Sequence, residues 1–453
     1  MKEIKDFSVF DYSGDSIDDI AATTVINSNK AVKQNLGIYR KKTKDGIKLY
    51  TGRYCGITWL RDKNGTFIQD QNGEKQPLVI SPRFGLDIDK MITKISEDEE
   101  FFDYLCNDQS EGDRMFTFFF NEEMVEVKDD KVCDNRLMVA ISFVHLLYME
   151  TQHSLIKKII RKENNFTGKI KGKILFNKQI QKNIVKGHEE RIYCGYVQKS
   201  EDIYENHILK YALIQAKEYL YSKKMSNSQI EREIRACELR LKDVSVLGEI
   251  NPEGIDNIQL PVIYKNFEQV MKLAYLVIAQ ISMTSNLEND SNKMVPYAVN
   301  MPLLFECYCR SLIKKELSKD WKMLKFVANK FGKYDEAEYG IKTIEGDYYI
   351  SGNIVPDIVL VNEKGKKYRI LDVKYKDIEW KKEKKGKWEI IKPELWDSKR
   401  RGDRLQMLAY CEMYQPELCG HICPSFGGLN ESVIMLAKSI INGKAPYYMY
   451  LER

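Results

Sequence analysis

The chain has 453 residues, of which 43% are hydrophobic, and a formal net charge of +5. That length leaves room for two or three domains with sizeable cores. No run of about 18 apolar residues occurs, and the first residues lack the apolar core of a signal peptide, so we expect no membrane association. Ten cysteines without regular spacing are typical of reduced thiols, which predicts a cytoplasmic protein.

The pattern along the chain predicts an α+β multidomain protein. Residues 1–130 are predicted to form a β-rich N-terminal domain, with strands near 47–51, 55–60 and 78–81 and Asn-Gly turns between them. Residues 131–290 are predicted to form a mainly helical middle region. Its expected helices cover 137–160, 204–223, 228–243 (an exposed amphipathic helix) and 267–283. Residues 291–453, after a polar stretch at 285–293, are predicted to form a C-terminal α/β domain.

The absence of a nucleotide-binding motif and the uneven distribution of charge both bear on function. No segment matches Gly-x-x-x-x-Gly-Lys-Ser/Thr, so this chain is predicted to bind no nucleotide, and the basic stretch 168–173 is predicted to be a turn between strands. Residues 291–453 carry 29 Lys+Arg against 22 Asp+Glu, whereas the preceding residues carry 42 against 44. The C-terminal third is therefore where a polyanion is expected to bind.

The most informative residues lie in two apolar runs around an Asn-Glu-Lys-Gly segment, a pattern that predicts a β-hairpin. If Lys364-Gly365 forms the loop, paired positions sum to 729, which sets Asp357 directly opposite Asp372. Because side chains alternate along a strand, Lys374 then shares the face of Asp372. Such a cluster can hold a hard divalent cation. The alternative is a solvated surface ion pair between Asp372 and Lys374.

A helix is predicted on each side of this hairpin. Upstream, Asn300 is a suitable N-cap for a helix over 303–313 that carries Glu306, with Pro302 in its first turn. Glu306 is either a site residue or the i,i+4 partner of Arg310. Downstream, the pattern predicts a helix over 403–413. Its residues Gln406 and Tyr410 share one face, and we expect its apolar residues to face a core: Leu405, Leu408, Ala409 and Met413.

The order helix with Glu, strand with Pro-Asp, strand with Asp-x-Lys, helix with Gln-x-x-x-Tyr resembles the PD-(D/E)xK nuclease superfamily in its RecB-like branch. Within that branch the chain resembles the McrC family, the nuclease subunits of McrBC-type modification-dependent restriction systems. The resemblance is densest over 300–425, with weaker similarity at 78–85, 168–170 and 206–210. It implies a PD-(D/E)xK nuclease domain in the C-terminal third and partner binding by the N-terminal and middle regions.

The resemblance also implies roles for individual residues. Mg²⁺, with Mn²⁺ as a substitute, would be held by Asp357, Asp372, Glu306 and the backbone carbonyl of Val373. Lys374 would orient or activate the attacking water or stabilise the transition state. Gln406 and Tyr410 would contact the DNA backbone or support the lysine. Basic residues that follow the Asp-x-Lys strand are candidates to bind double-stranded, modified DNA: Lys376, Lys399, Arg400, Arg401 and Arg404.

The partner implied by the resemblance is an AAA+ GTPase hexamer of the McrB type, which would supply the nucleotide hydrolysis that this chain lacks. Two other functions stay open: a RecB-like nuclease that acts alone in repair or defence, and a non-cleaving assembly and GTPase-activating subunit. The basic segment 376–404, with its three interleaved tryptophans, is either a DNA-gripping insertion or a hairpin or loop with the tryptophans packed inward. Residues Cys411, Cys419 and Cys423 are either part of a metal cluster or, for the last two, a buried strand that ends at Pro424.

Overall fold

The computed structural model describes residues 2–5, 9–10, 38–43, 46–59, 66–69, 72–83, 86–98, 115–120, 122–127, 135–225, 228–246, 248, 250, 255, 258–282, 292–317, 319–323, 356–362, 367–375, 380–382, 388–390, 401–424 and 448–451. None of the helices within these ranges combines the length and hydropathy needed to cross a bilayer.

Helices and several sheets together make this an α+β protein, as predicted. The strands are β1 (Lys2–Lys5), β2 (Val9–Phe10), β3 (Ile38–Thr43), β4 (Gly46–Thr51), β5 (Tyr54–Trp59), β6 (Pro77–Ser81), β7 (Phe116–Phe118), β8 (Val125–Val127), β9 (Lys158–Thr167), β10 (Lys173–Ile174), β11 (Arg191–Ser200), β12 (Asn292–Met294), β13 (Tyr297–Asn300), β14 (Lys322–Met323), β15 (Ile358–Asn362), β16 (Lys367–Val373), β17 (Trp380–Lys382), β18 (Trp388–Ile390), β19 (Leu418–Pro424) and β20 (Tyr448–Leu451). The helices are α1 (Ile88–Ile95), α2 (Arg136–Thr151), α3 (Phe176–Lys182), α4 (Tyr204–Ser222), α5 (Ser228–Arg240), α6 (Phe267–Val277), α7 (Met301–Glu316) and α8 (Arg401–Tyr414).

The chain divides into two compact units, one of which contains both ends of the sequence. Residues Met1–Asp134 and Ser291–Arg453 form the first unit, and Asn135–Asp290 forms the second. In the first unit, β13 pairs with both β5 and β7, so a strand from beyond residue 290 completes the N-terminal sheet. The predicted division at residues 130 and 290 into three functional parts stays a prediction.

The N-terminal sheet has the strand order β1-β6-β5-β13-β7. Its strands β5 and β6, with β4 of a neighbouring sheet, match the three predicted strands to within one residue. The predicted turn at Asn72-Gly73 lies between paired residues Gln69 and Lys75, and Gly73 has the positive φ (80°) that such a turn requires. The other predicted turn, at Asn64-Gly65, lies outside the described residues.

Gly56 in β5 allows β13 to approach closely. Its φ is 150°, and a Cβ atom on it would overlap the backbone oxygen of Tyr297. We expect Gly56→Ala to lower the free energy of unfolding by about 2–4 kcal/mol, because the sheet must open to relieve this overlap. Gly73→Ala is the matched control, since Gly73 also has a positive φ but open space around it. Chemical denaturation of both variants measures the difference, and equal losses would contradict the close approach.

The second unit is built around α2, which packs against α4, α5 and α6. The predicted helix over 137–160 extended too far, because residues from Lys158 onward form β9. Helix α5 is amphipathic, as predicted, but one of its faces is buried rather than exposed. On that face Glu233 Oε1 lies 3.0 Å from His145 Nδ1 and accepts a hydrogen bond from Gln229 Nε2 at 2.6 Å, so this polar contact lies inside the helical core.

A three-stranded antiparallel sheet in this unit, ordered β10-β11-β9, carries much positive charge. Residues 157–200 include 12 Lys+Arg and 3 Glu, so the balanced charge of the first 290 residues conceals a local excess. The basic stretch that begins at Gly168 lies between β9 and β10, which confirms the predicted turn. Nearby, the His207 ring lies 2.7 Å from Asp202, and the Asn206 side chain donates to the backbone carbonyls of Ile156 and Glu201.

The C-terminal sheet has the order β14-β15-β16-β19-β20. Strands β15 and β16 form an antiparallel hairpin, whereas β16 and β19 are parallel and are connected in sequence through α8. A parallel pair needs such a crossover connection, and α8 covers the sheet at this point. Tyr410 of α8 packs with Ile370 and Cys419 in a buried cluster that Met407 flanks. The crossover therefore sets α8 beside the strand that carries Asp372.

Candidate active site

Helix α7 begins directly at the end of β13. The side chain of Asn300 accepts a hydrogen bond from the Leu303 amide at 3.4 Å, and Pro302 lies in the first turn, as predicted. Asn300 is itself fixed by its strand pairing and by donating its amide to the Met115 carbonyl. Helix α7 is therefore anchored at its N-terminus, and this anchor sets the position of Glu306 farther along the helix.

The hairpin of β15 and β16 has the predicted register. Ile358 pairs with Leu371 and Asn362 pairs with Lys367, so paired positions sum to 729. The hairpin loop lies outside the described residues. Asp357 stands just before β15, and its Oδ2 accepts a hydrogen bond from the Val373 amide at 2.6 Å. The carboxylate thereby closes the open end of the hairpin and is held next to Asp372.

Asp372 is the buried centre of the site, with an exposed fraction of 0%. Its Oδ2 lies 2.7 Å from Lys374 Nζ and 3.2 Å from His421 Nδ1, and its Oδ1 lies 3.4 Å from the Tyr410 hydroxyl. The pair of Asp372 and Lys374 is not a solvated surface ion pair, because the side chain of Lys374 is only 19% exposed. The sequence suggests His421 only as part of the Cys419–Cys423 segment and does not indicate its contact with Asp372.

Helix α8 turns a mixed face toward the sheet, on which Met407 and Tyr410 pack against Ile370 and Cys419 while the Tyr410 hydroxyl reaches Asp372. Gln406 Nε2 donates to the Tyr410 hydroxyl at 2.7 Å, and Tyr410 is buried against Asp372. The expectation that Leu405 and Leu408 face a core is wrong, since they are 57% and 65% exposed. The inward position belongs to residues that hydrogen-bond toward the buried carboxylate, which would be costly to leave without partners.

The three carboxyl groups affect one another's ionisation. Burial, with the nearby charge of Asp372, raises the pKa of Glu306 to about 7 against the opposing effects of Arg310 and Lys374. Burial, followed by the charges of Glu306 and Asp372, raises the pKa of Asp357 well above its ordinary value. Burial also acts to raise the pKa of Asp372, but the contacts with His421 and Lys374 outweigh it and lower that pKa. The site thus brings together three carboxyl groups whose joint ionisation is unfavourable, and Lys374 offsets only part of their repulsion.

Two arginines hold the backbone at the ends of the β15–β16 hairpin. Arg310 of α7 is 1% exposed and donates from Nη1 to the carbonyl oxygen of Asp357, one turn beyond Glu306. Arg83, which follows β6, donates from Nη2 to the carbonyl oxygen of Tyr375 at 2.5 Å, and its guanidinium lies 5.0 Å from the centre of the Tyr375 ring. Residues from α7 and from the N-terminal sheet therefore both fix the strands that carry Asp357 and Lys374.

Oxygen ligands at this site fit magnesium. Within the described ranges, no three His, Cys, Asp or Glu side chains are already placed as a complete set of metal ligands. Mg²⁺ does not require such a set, because it keeps several waters and is commonly bound through one or two carboxylates. The raised pKa values of Asp357 and Glu306 arise partly from carboxylate repulsion, which a bound cation would relieve. The donor set is thus compatible with a hard divalent ion.

The structure describes only two of the five residues that are predicted to bind DNA. Arg401 and Arg404 belong to α8, whereas Lys376, Lys399 and Arg400 lie outside the described residues. Within the basic segment 376–404, β17 and β18 pair antiparallel as a short hairpin. Cys419 and Cys423 lie in β19, a buried strand that ends at Pro424, which confirms the strand interpretation of this segment.

Helices and a mixed sheet thus bring Asp357, Asp372 and Lys374 together with Glu306, which defines a buried carboxylate-and-lysine site. The family model of the McrBC 5-methylcytosine restriction system component matches residues 79–422. This match covers most of the chain, and the protein therefore belongs to that family.

Two solved structures provide distant comparisons, and no curated protein sequence matches the chain significantly. One is the half-complex from a tetradecameric assembly of Thermococcus gammatolerans McrB AAA+ hexamers with bound McrC. It is 13% identical, with a TM-score of 0.34 and coverage of 95% of this chain and 89% of that chain. The other is the Thermococcus gammatolerans McrBC complex, which is 13% identical with a TM-score of 0.30 and coverage of 70% and 88%.

Proposed function

We propose that this protein is the DNA-cleaving subunit of a McrBC-like restriction system that defends against foreign DNA. Its C-terminal sheet with α7 and α8 would be a PD-(D/E)xK nuclease domain that hydrolyses phosphodiester bonds in a Mg²⁺-dependent reaction. The observation that carries this proposal is the convergence of Asp357, Asp372 and Lys374 at one end of a buried hairpin, beside Glu306. All four core positions of the motif are occupied, which argues against a degenerate, non-cleaving subunit.

The carboxylates of Asp357 and Asp372, with the Val373 carbonyl and Glu306, would hold the metal. A bound Mg²⁺ ion would neutralise part of the phosphate charge and would lower the pKa of a water molecule that it binds. Asp357 can serve as a ligand while it accepts the Val373 amide, because a carboxylate has two oxygens and several lone pairs.

Lys374 is best assigned as a permanent positive charge. Burial acts to lower its pKa, but the neighbouring carboxylate of Asp372 and those of Asp357 and Asp403 outweigh this effect and raise the pKa above its ordinary value. A lysine that stays protonated at neutral pH cannot accept a proton from water. Its role is then to orient the attacking water by hydrogen bonding and to stabilise the negative charge that develops on the phosphate.

Gln406 and Tyr410 would support the site rather than grip DNA. The hydroxyl of Tyr410 is buried and faces Asp372, and Gln406 orients that hydroxyl. Burial, together with the charges of Asp372 and Asp357, keeps the pKa of Tyr410 far above neutrality, so its hydroxyl remains a donor. DNA contacts would come from basic residues around the site, for which Lys376, Lys399, Arg400, Arg401 and Arg404 stay candidates.

The partner would be a McrB-like AAA+ GTPase hexamer. Membership of the McrBC family supports this pairing, and the sequence contains no Gly-x-x-x-x-Gly-Lys-Ser/Thr motif with which it could hydrolyse a nucleotide itself. The family's description names 5-methylcytosine, so we propose methylated double-stranded DNA as the substrate. The N-terminal and middle regions would bind the partner.

A cleavage assay separates this function from the alternatives. Methylated and unmodified DNA are incubated with the protein and Mg²⁺, with and without the AAA+ partner and GTP. We expect double-strand cleavage of methylated DNA only when both partner and GTP are present. Cleavage without the partner would favour a nuclease that acts alone, and stimulated GTPase activity without any cleavage would favour an assembly subunit.

A further inference from the structure

The pairing of β16 with β19 places a histidine beside the central carboxylate of the site. In the register of these parallel strands, Asp372 pairs with His421. The amide of Lys374 donates to the carbonyl oxygen of Ile422 at 2.8 Å, which extends the same alignment by one residue. The imidazole of His421 is therefore held next to Asp372 by backbone hydrogen bonds on both sides of the contact.

The contact between these two side chains is buried. His421 Nδ1 lies 3.2 Å from Asp372 Oδ2, and the two side chains are 8% and 1% exposed. Among the described residues, neither His421 Nδ1 nor Asp372 Oδ2 has a partner in full hydrogen-bonding geometry. A buried polar nitrogen is costly to leave without a partner, so the close approach to the Asp372 carboxylate is the contact that offsets this cost.

We propose that His421 is a positioning residue that fixes the orientation of the Asp372 carboxylate for metal binding. This inference rests on the proposed nuclease function. The two oxygens of Asp372 have different neighbours: Oδ1 faces Tyr410 at 3.4 Å, and Oδ2 faces both Lys374 at 2.7 Å and His421 at 3.2 Å. Carboxylates that bind a metal generally need such outer partners to hold their geometry.

His421 differs from Lys374 in how firmly it is held. Lys374 reaches Asp372 through a long side chain with four rotatable bonds, so its contact at 2.7 Å restrains the carboxylate only loosely. His421 has a short, rigid side chain on a strand that is paired with β16, so it holds the Asp372 carboxylate more firmly.

The test compares three variants of the full-length protein in the assembled complex. His421→Leu replaces the imidazole with an apolar side chain of similar size and so removes the nitrogen. His421→Asn places an amide nitrogen close to the position of Nδ1. Cys423→Ala is the matched control, because Cys423 is buried on the same face of β19 two residues later. Folding of each variant is checked by thermal unfolding before cleavage is measured.

We expect His421→Leu to lower kcat by about 10–100-fold, to raise the Mg²⁺ concentration for half-maximal rate, and to leave KM for DNA little changed. His421→Asn should recover most of the loss, and Cys423→Ala should cleave like the wild type. If His421→Leu keeps the wild-type kcat and Mg²⁺ dependence, His421 has only a packing role. If His421→Asn is as impaired as His421→Leu, the nitrogen is not what matters, and the inference is equally wrong.

A second measurement does not depend on cleavage. Mg²⁺ or Ca²⁺ is titrated into the protein without DNA, and the metal-induced rise in the unfolding temperature is recorded. We expect this rise to require a higher metal concentration in His421→Leu than in the wild type or in His421→Asn. An identical titration of all three proteins would overturn the role of His421. If the wild type binds metal but never cleaves DNA with its partner, the proposed function fails instead.

Discussion

Lys374→Ala and Asp372→Ala are each expected to lower DNA cleavage by the assembled complex by about 10³-fold. In the proposed mechanism Lys374 supplies a positive charge, and its loss would leave the phosphate charge without that stabilisation. Asp372 is a proposed metal ligand and also lies 2.7 Å from Lys374, so its loss would remove both contributions at once. The measurement is single-turnover cleavage of methylated DNA with Mg²⁺, the AAA+ partner and GTP.

The same variants should keep their other activities. Both are expected to bind the partner and to stimulate its GTPase at the wild-type level, because the substitutions lie inside the C-terminal sheet. Lys322→Ala is the matched control for loss of a lysine, since Lys322 lies exposed on β14 of the same sheet. Wild-type cleavage rates in Lys374→Ala and Asp372→Ala would show that the active site has been assigned to the wrong residues.

Asp357→Asn is expected to abolish cleavage and, in metal-free buffer, to make the protein more stable. Burial and the charges of Glu306 and Asp372 raise the pKa of Asp357 in the folded protein. A carboxyl group with a raised folded pKa contributes stability below its unfolded pKa, and that contribution is lost as the pH rises through the folded pKa. At neutral pH the fold therefore loses this contribution, whereas asparagine has no charge to bury and does not titrate.

The asparagine side chain of this variant can still accept the Val373 amide through its own oxygen, so the structural contact at the hairpin end is retained. We expect an increase of about 1–2 kcal/mol in the free energy of unfolding at pH 7, measured in EDTA. The increase should shrink toward pH 4, where the wild-type carboxyl is protonated. Glu238→Gln is the control, because Glu238 is an exposed acid paired with Lys217. Equal stability of Asp357→Asn and wild type at pH 7 would exclude carboxylate repulsion at the site.

The local parts of the site could be predicted from the sequence because short-range rules govern them. A hairpin's register follows from its turn, and this is why the pairing of Ile358 with Leu371 could be calculated before the structure was known. An N-cap residue and a proline in the first turn identify the start of α7 in the same way. Each of these inferences spans fewer than about 20 residues.

The parts that could not be predicted depend on contacts between segments far apart in sequence. His421 meets Asp372 only because β19 pairs in parallel with β16 after the α8 crossover, and no turn fixes that register. Arg83 reaches the carbonyl of Tyr375 across 292 positions of sequence. The hydrophobicity of Leu405 and Leu408 indicates the wrong face of α8, because the face toward the sheet combines the packing of Met407 and Tyr410 with the hydrogen bond from Gln406 to the Tyr410 hydroxyl.

The protein itself is expected to cut DNA with the site around Asp372. The most direct measurement is the rate of Mg²⁺-dependent cleavage of methylated duplex DNA by complexes that contain either the wild-type chain or Lys374→Ala, at matched GTPase activity. We predict rapid double-strand cleavage by the wild type and a cleavage rate about 10³-fold lower in the variant, while GTP hydrolysis continues in both. Equal cleavage by the two complexes would show that the site around Lys374 does not cut the DNA.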